Sequence, residues 1–136
     1  VTKWYVPEVN SAAALALRRR FRPPVVLTHL PRLELLPAWR LKVFRGEISA
    51  HEADRASDNL QTDIQAGVWI PPDYDLAEVF ASAERLSRGH AASLGTRTLD
   101  VLHVAAAREL RKQDFVTADE RQARLAIEIG LKVTRL

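Results

Sequence analysis

The stretch "TRTLDVLHVAAARELRKQDFVTADERQARLAIEIGLKV", Thr96 to Val133, decides how this chain folds. It opens on an Ala-, Val- and Leu-rich segment that reads as a helix packed into a core. Phe115 to Thr117 then reads as a short buried strand. "ERQARLAIEIG" has apolar residues at helical spacing, with Gly130 where a C-terminal cap belongs. "LKVTRL" reads as a final strand. Two acids punctuate this run: Asp100 opens the first helix, and Asp119 follows directly on the strand. An acid in the first turn of a helix interacts with the positive end of the dipole, by a few tenths to about 1 kcal/mol. Thr96 or Thr98 is the expected N-cap. Capping accounts for Asp100 unless other carboxylates meet it in space.

Working outward, the same alternation recurs. Pro7 to Phe21 reads as a helix, with Pro in its first turn and an Ala/Leu run behind it. Arg22-Pro23-Pro24 breaks it, and "VVLTH", Val25 to His29, reads as a strand. A helix from about Pro31 carries "RLELLPAWRLKVFRGE" and ends at Gly46. Ser49 with Glu52 three residues later has the spacing of a capping box, opening a helix that stops at Gly67. Val68 to Ile70 reads as a strand closed by Pro71-Pro72-Asp73. "DLAEVFASAERLSRGHAASLG" reads as one long helix or two, ending at Gly95. Trp4, Tyr5, Trp39 and Phe44 lie at apolar helical spacing, so core packing is expected of each.

Strands alternating with helices predict an α/β fold: a three-layer sandwich with a mostly parallel sheet flanked by helices, in one domain over residues 1–136. In such a sheet ligands bind beyond the carboxyl ends of the strands. Glu34, in the first turns of the helix after "VVLTH", and Asp119, after "FVTA", fall at that edge. Asp100 joins them if its helix starts on the same side. Three converging carboxylates repel one another unless a cation neutralises them. Oxygen ligands without thiolates suit Mg²⁺ or Mn²⁺, which serve phosphoryl chemistry.

Composition bounds this reading. With 136 residues, 47% of them hydrophobic and 27% charged, the chain has the balance of an ordinary water-exposed domain with a real core. It has no Cys, which excludes disulfides and thiolate metal sites and fits the cytoplasm. No apolar run approaches the roughly 20 residues of a membrane span, and no leader is visible. The net charge of +3 favours a polyanionic partner such as RNA. Arg18, Arg19, Arg20 and Arg22 form the densest basic cluster, which reads as a solvated helix end or a phosphate contact. The chain opens on Val and contains no Met, so it reads as a fragment, a processed chain or one whose start lies upstream.

Three stretches, "KWYVPE" (Lys3 to Glu8), "RLELLPAWRLKVFRGEIS" (Arg32 to Ser49) and the segment from Leu94 to Val133, resemble PIN-domain proteins, specifically VapC-type toxin ribonucleases. The pattern T-L-D-x-L-H-x-A-A-A followed by F-V-T-x-D-x-R-Q carries most of the resemblance. It implies a parallel sheet flanked by helices and an acid cluster that binds Mg²⁺ or Mn²⁺ and cuts RNA, often tRNA. It matches the family's acids to Glu34, Asp100 and Asp119, and its hydroxyl to Thr117, which orients water or a neighbouring acid. It further implies an antitoxin partner covering the site and a homodimer. Family members open with a strand ending in an Asp, and this chain begins after it, so the resemblance implies an N-terminally truncated domain lacking one acid. Pro37 departs from the family and is expected to kink the helix after Glu34, since it cannot bond the Leu33 carbonyl. His29 has no explanation from the pattern, and His103 reads as a packing residue. The competing reading is an inactive module that binds RNA or an antitoxin-like protein without cutting; a nuclease acting on DNA is a third.

Overall fold

The computed structural model describes residues 4–6, 16, 19 and 24–135. The expected Pro7 to Phe21 helix and the Arg18–Arg22 cluster lie outside these, save for Ala16 and Arg19, both helical. Among the described residues there are five helices and four strands, and the chain divides into two compact units, Val1–Pro72 and Asp73–Leu136.

In the first unit, strand β1 (Val25–Val26) leads into helix α1 (His29–Phe44), helix α2 (Ala50–Gln65) and strand β2 (Trp69–Ile70). β1 and β2 are parallel, with Val25 opposite Trp69, and the ladder is closed by Val25 N–H to Val68 C=O and Leu27 N–H to Ile70 C=O, each 3.0 Å. The capping box at α2 forms as its spacing predicts: Glu52 N–H donates to Ser49 Oγ at 3.2 Å, and Ser49 N–H donates to Glu52 Oε2 at 2.7 Å. α1 continues through Pro37. Pro37 and Leu33, whose carbonyl it cannot bond, are both exposed, so water can take that acceptor.

Large aromatics hold this unit together. Trp39 and Leu35 from α1 pack with Ala53, Ala56 and Leu60 from α2 and with Leu27 and Trp69. Trp4 stacks on Trp69 with ring centroids 4.8 Å apart, and Tyr5 meets Trp39 edge-on at 5.9 Å. A polar chain runs through the packing: Trp69 Nε1–H donates to Tyr5 Oη at 2.7 Å, and Tyr5 Oη–H donates to Asp63 Oδ2 at 2.6 Å. Phe44 departs from its expected core role. As the last residue of α1 it is 88% exposed, because the helix's buried face ends with Trp39 and the half-buried Val43.

In the second unit, helix α3 (Leu76–Leu94) is capped by Asp75, whose carboxylate accepts from Ala77 N–H at 2.8 Å. Gly95 ends it in the left-handed conformation at φ 64°, which a side chain would strain. Helix α4 (Thr98–Glu109), strand β3 (Asp114–Thr117), helix α5 (Glu120–Glu128) and strand β4 (Lys132–Arg135) follow. β3 and β4 are parallel, Phe115 opposite Val133, with α5 as their crossover. The core is rich in Ala and Val with three leucines among them: Val79, Ser82, Ala83 and Leu86 of α3, then Val101, Leu102, Val104, Ala105 and Ala106 of α4, with Ala123, Leu125 and Ala126 of α5.

This overturns the expected three-layer sandwich. Among the described residues the protein is mostly helical, with two two-stranded parallel sheets, one in each unit. The reason is in the strands. β1 and β2 are two residues long, β1 preceded by Pro23-Pro24 and β2 followed by Pro71-Pro72, and Pro lacks the N–H a ladder needs. A strand buried on both faces needs a near-continuous apolar run. Asp114 in β3 and Lys132, Thr134 and Arg135 in β4 are exposed instead.

Candidate functional site

The second unit holds three of the four predicted site residues, Asp100, Thr117 and Asp119, and two of them, the aspartates, face one cation. Asp119 stands at the end of β3 as the N-cap of α5, and its Oδ1 accepts from the N–H groups of Arg121 at 2.8 Å and Gln122 at 3.2 Å. Thr117, the last residue of β3, shapes this turn. Its hydroxyl accepts from Asp119 N–H at 3.0 Å and donates to Gln122 Oε1 at 2.8 Å. Thr117 thus acts on the neighbouring acid through that acid's main chain.

Asp100 is buried in the first turn of α4. Its Oδ2 accepts from Arg97 N–H at 2.9 Å. The N-cap is therefore Arg97, not Thr96 or Thr98. Asp100 reaches back to the cap's own N–H, so the helix start is tied without a hydroxyl at the cap position. An acid at the mouth of this apolar helix therefore has two roles. Asp100 caps, and it also meets a partner from another element.

That partner is Arg121, in the first turn of α5. Its Nε lies 3.2 Å from Asp100 Oδ2, and its Nη2 lies 3.8 Å from Asp119 Oδ2. One guanidinium thus faces carboxylates from two helix starts. The two positive helix ends add to the same field, so both acids sit where negative charge is favoured. Arg121 Nε is buried, yet its N–H is not aligned on any acceptor despite the short distance to Asp100. The adjacent acid, Glu120, is taken up by Arg124 at 3.0 Å and by Arg135.

Glu34 belongs to the first unit, half-buried on α1. Among the described residues no group of three or more His, Cys, Asp or Glu side chains stands at metal-binding range. The donors gathered in the second unit, two carboxylates and a hydroxyl, are hard oxygens of the kind that suit Mg²⁺ or Mn²⁺. One oxygen of Asp119 is engaged by main-chain N–H groups, while Oδ2 faces the guanidinium, and the contacts of Asp100 fall on Oδ2. The oxygens suit such an ion in kind, but as they stand both carboxylates are paired with Arg121 and the Thr117 hydroxyl is taken up by Asp119 N–H and Gln122.

Arg121 and Gln122 are the members of this cluster that sequence reasoning missed. Their signal was the R-Q two and three residues after Asp119, which matters because an N-cap acid bonds the N–H groups two and three residues on. A shallow groove of about 160 Å³ between α3 and α4 is lined mainly by Phe80, Ala83, Val101 and Leu102, with Glu84 as its charge. Among the described residues no helix is long and apolar enough to cross a membrane. Comparison with protein-family models, with curated proteins and with solved structures finds no match for this chain.

Proposed function

We propose that this chain is a metal-dependent endoribonuclease, the toxin of a type II toxin–antitoxin pair, hydrolysing RNA phosphodiester bonds in the cytoplasm. The observation that carries the reading is the convergence of Asp100 and Asp119, from two helix starts, on one positive charge at the carboxyl end of β3. Asp100 and Asp119 would hold the ion, and Thr117 fixes the turn that presents Asp119. When bound, Mg²⁺ or Mn²⁺ supplies a polarised phosphate and an activated water. A net charge of +3 favours a polyanionic substrate. The resemblance adds Glu34 to the ligands, an antitoxin as partner and a second copy of the chain.

The test is cleavage of a structured RNA by the full chain with Mn²⁺ or Mg²⁺. Cleavage is expected with metal and absent in excess EDTA. Asp100→Asn and Asp119→Asn should lower it by about 100-fold or more, since removing a group that acts on developing charge costs roughly 2.7–4 kcal/mol. Asn retains a cap acceptor, so these variants separate charge from capping. Glu34→Ala should lower cleavage as well. Equal cutting in EDTA would overturn the metal mechanism, and cutting of single-stranded DNA in preference to RNA would move the substrate class.

Arg121 favours a second reading, a module that binds RNA or an antitoxin-like protein without cutting, because the two acids already have a cation. RNA retained in a gel shift and left whole with every divalent ion would decide for it.

A further inference from the structure

We propose that the exposed face of α1 docks an amphipathic helix of a partner protein, one with an apolar spine and acidic flanks. Where this face meets solvent it is apolar: Leu33 is 70% exposed, Leu36 50%, Leu41 45% and Phe44 88%. At 100° per residue these four fall within an arc of about 140°, in a stripe about 16 Å long. The buried residues of α1, Leu35 and Trp39, lie on the other side, so the helix is apolar on two faces and only one is covered by the core of its unit. Arginines bound the open face. Arg32 stands one turn before Leu36 and Arg45 one turn after Leu41, each just outside the arc, while Arg40 lies within it, and all three are exposed. α1 has a single acid, Glu34, and it is half-buried. An apolar stripe rimmed by charge of one sign has the make-up of an interaction surface. It belongs to the first unit and holds none of Asp100, Thr117 and Asp119, so it does not depend on the ribonuclease reading.

Charge selects the occupant. Arg40 Nη2 pairs with Asp54 Oδ1 at 2.7 Å, and Arg45 Nη1 stands 3.8 Å from Glu47 Oε1, with all four side chains exposed. Exposed pairs of this kind contribute little and exchange partners readily. Carboxylates on a docked helix can therefore take the same guanidinium groups in two-pronged bonds. A second copy is disfavoured, because α1 laid against α1 opposes arginine to arginine. Nucleic acid is disfavoured, because the middle of the stripe is apolar where such an interface is polar. Lipid is disfavoured by Pro37, which leaves the Leu33 carbonyl without its helix N–H inside the stripe. Hydrocarbon offers that carbonyl no donor, whereas a Gln, Asn, Ser or Thr of a partner helix does.

The probe is a synthetic helix of about 16 residues, long enough at 1.5 Å per residue for its spine to run the length of the stripe. It carries leucines at helical spacing, glutamates on both flanks, a Gln at its middle and a fluorescein label. Its twin has Lys for every Glu. Fluorescence anisotropy with the full chain should show the Glu peptide bound, and the Lys peptide bound about tenfold more weakly or not at all. Leu33→Ser with Phe44→Ser, and separately Arg40→Gln with Arg45→Gln, should each weaken binding of the Glu peptide by about tenfold or more. Ile127→Ser removes an exposed apolar side chain from α5 and should leave that binding within about twofold of wild type. Every substituted side chain is exposed, so the core of each unit is untouched. No binding of the Glu peptide, equal binding of the two peptides, or equal losses in all three variants overturns the docking surface. Self-association in sedimentation, or retention on phosphatidylglycerol vesicles, that Leu33→Ser with Phe44→Ser abolishes also overturns it, and assigns the face to a second copy or to lipid.

Discussion

The two units of this protein solve the same problem, burying two or three helices and a parallel strand pair, with opposite materials. The first unit relies on a few large rings drawn from distant positions: Trp4, Tyr5, Trp39 and Trp69 meet across α1, α2 and β2. The second relies on many small side chains, with Ala105, Ala106 and Val104 of α4 fully buried and Ser82 of α3 equally so. Both bury polar groups, and each leaves a donor out of line, Trp39 Nε1 in the first and Arg121 Nε in the second. In the first unit the Trp69–Tyr5–Asp63 chain satisfies its members in sequence. In the second, Asp100 and Asp119 converge on a cation whose Nε–H is left out of line.

The contrast breaks first by deletion. Trp39→Ala removes the largest fully buried side chain of the first unit and should cost about 3–5 kcal/mol, because α1 and α2 cannot collapse into a void of that size. Urea denaturation would read the loss, and amide exchange should rise in α1 and α2 well before it rises in α3 and α4. Uniform acceleration across the chain would mean that the two units unfold as one.

The second unit should break by addition instead. Ala105→Leu places three extra carbons where there is no room and should cost about 1–3 kcal/mol by forcing the surrounding side chains off their rotamers. Small residues at such a contact are what allow helices to approach closely, so the effect should appear in urea unfolding and in exchange of the α4 amides. A neutral result would mean that this contact has slack the burial of Ala105 does not suggest.

The smallest effect is one of pH, and it belongs to the first unit. Main-chain Ser49 N–H, with the Ser49 hydroxyl behind it, holds the Glu52 carboxyl below its ordinary value of 4.5. A lowered value in the folded protein means that Glu52 stabilises above about pH 4.5, and that this contribution fades as pH falls through the folded value. Urea midpoints measured from about pH 6 down to about pH 3 should fall more steeply for wild type than for Glu52→Gln. Parallel curves would show that the capping box does not couple to protonation.

These regions also differ in how much is legible in the sequence. Helix and strand positions are legible wherever the signal is local: Ser49 with Glu52 marks the start of α2, Gly95 the end of α3, and Phe115 to Thr117 the strand β3. Strand association is not legible, because pairing joins residues far apart in the chain and nothing in "VV" or "WI" names its partner. The alternation of elements suggests one sheet, and the prolines beside β1 and β2 signal turns more plainly than they signal a limit on ladder length. At the candidate site the acids stand out because two fall at helix starts. Arg121 does not, since a cation's partner depends on where a second helix begins. Phe44 misleads because helical spacing predicts a face, while burial depends on whether anything lies opposite that face.

The distribution of indole rings has a practical consequence. All three tryptophans, Trp4, Trp39 and Trp69, belong to the first unit, and two of them are stacked. Intrinsic emission excited at the red edge therefore arises in the first unit, and none arises in the unit that carries Asp100, Asp119 and Arg121. A ligand that binds at the aspartates without disturbing the first unit will leave that emission flat, so a silent fluorescence titration says nothing about occupancy there. A single indole introduced in place of exposed Phe80 on α3 would give the second unit a reporter of its own.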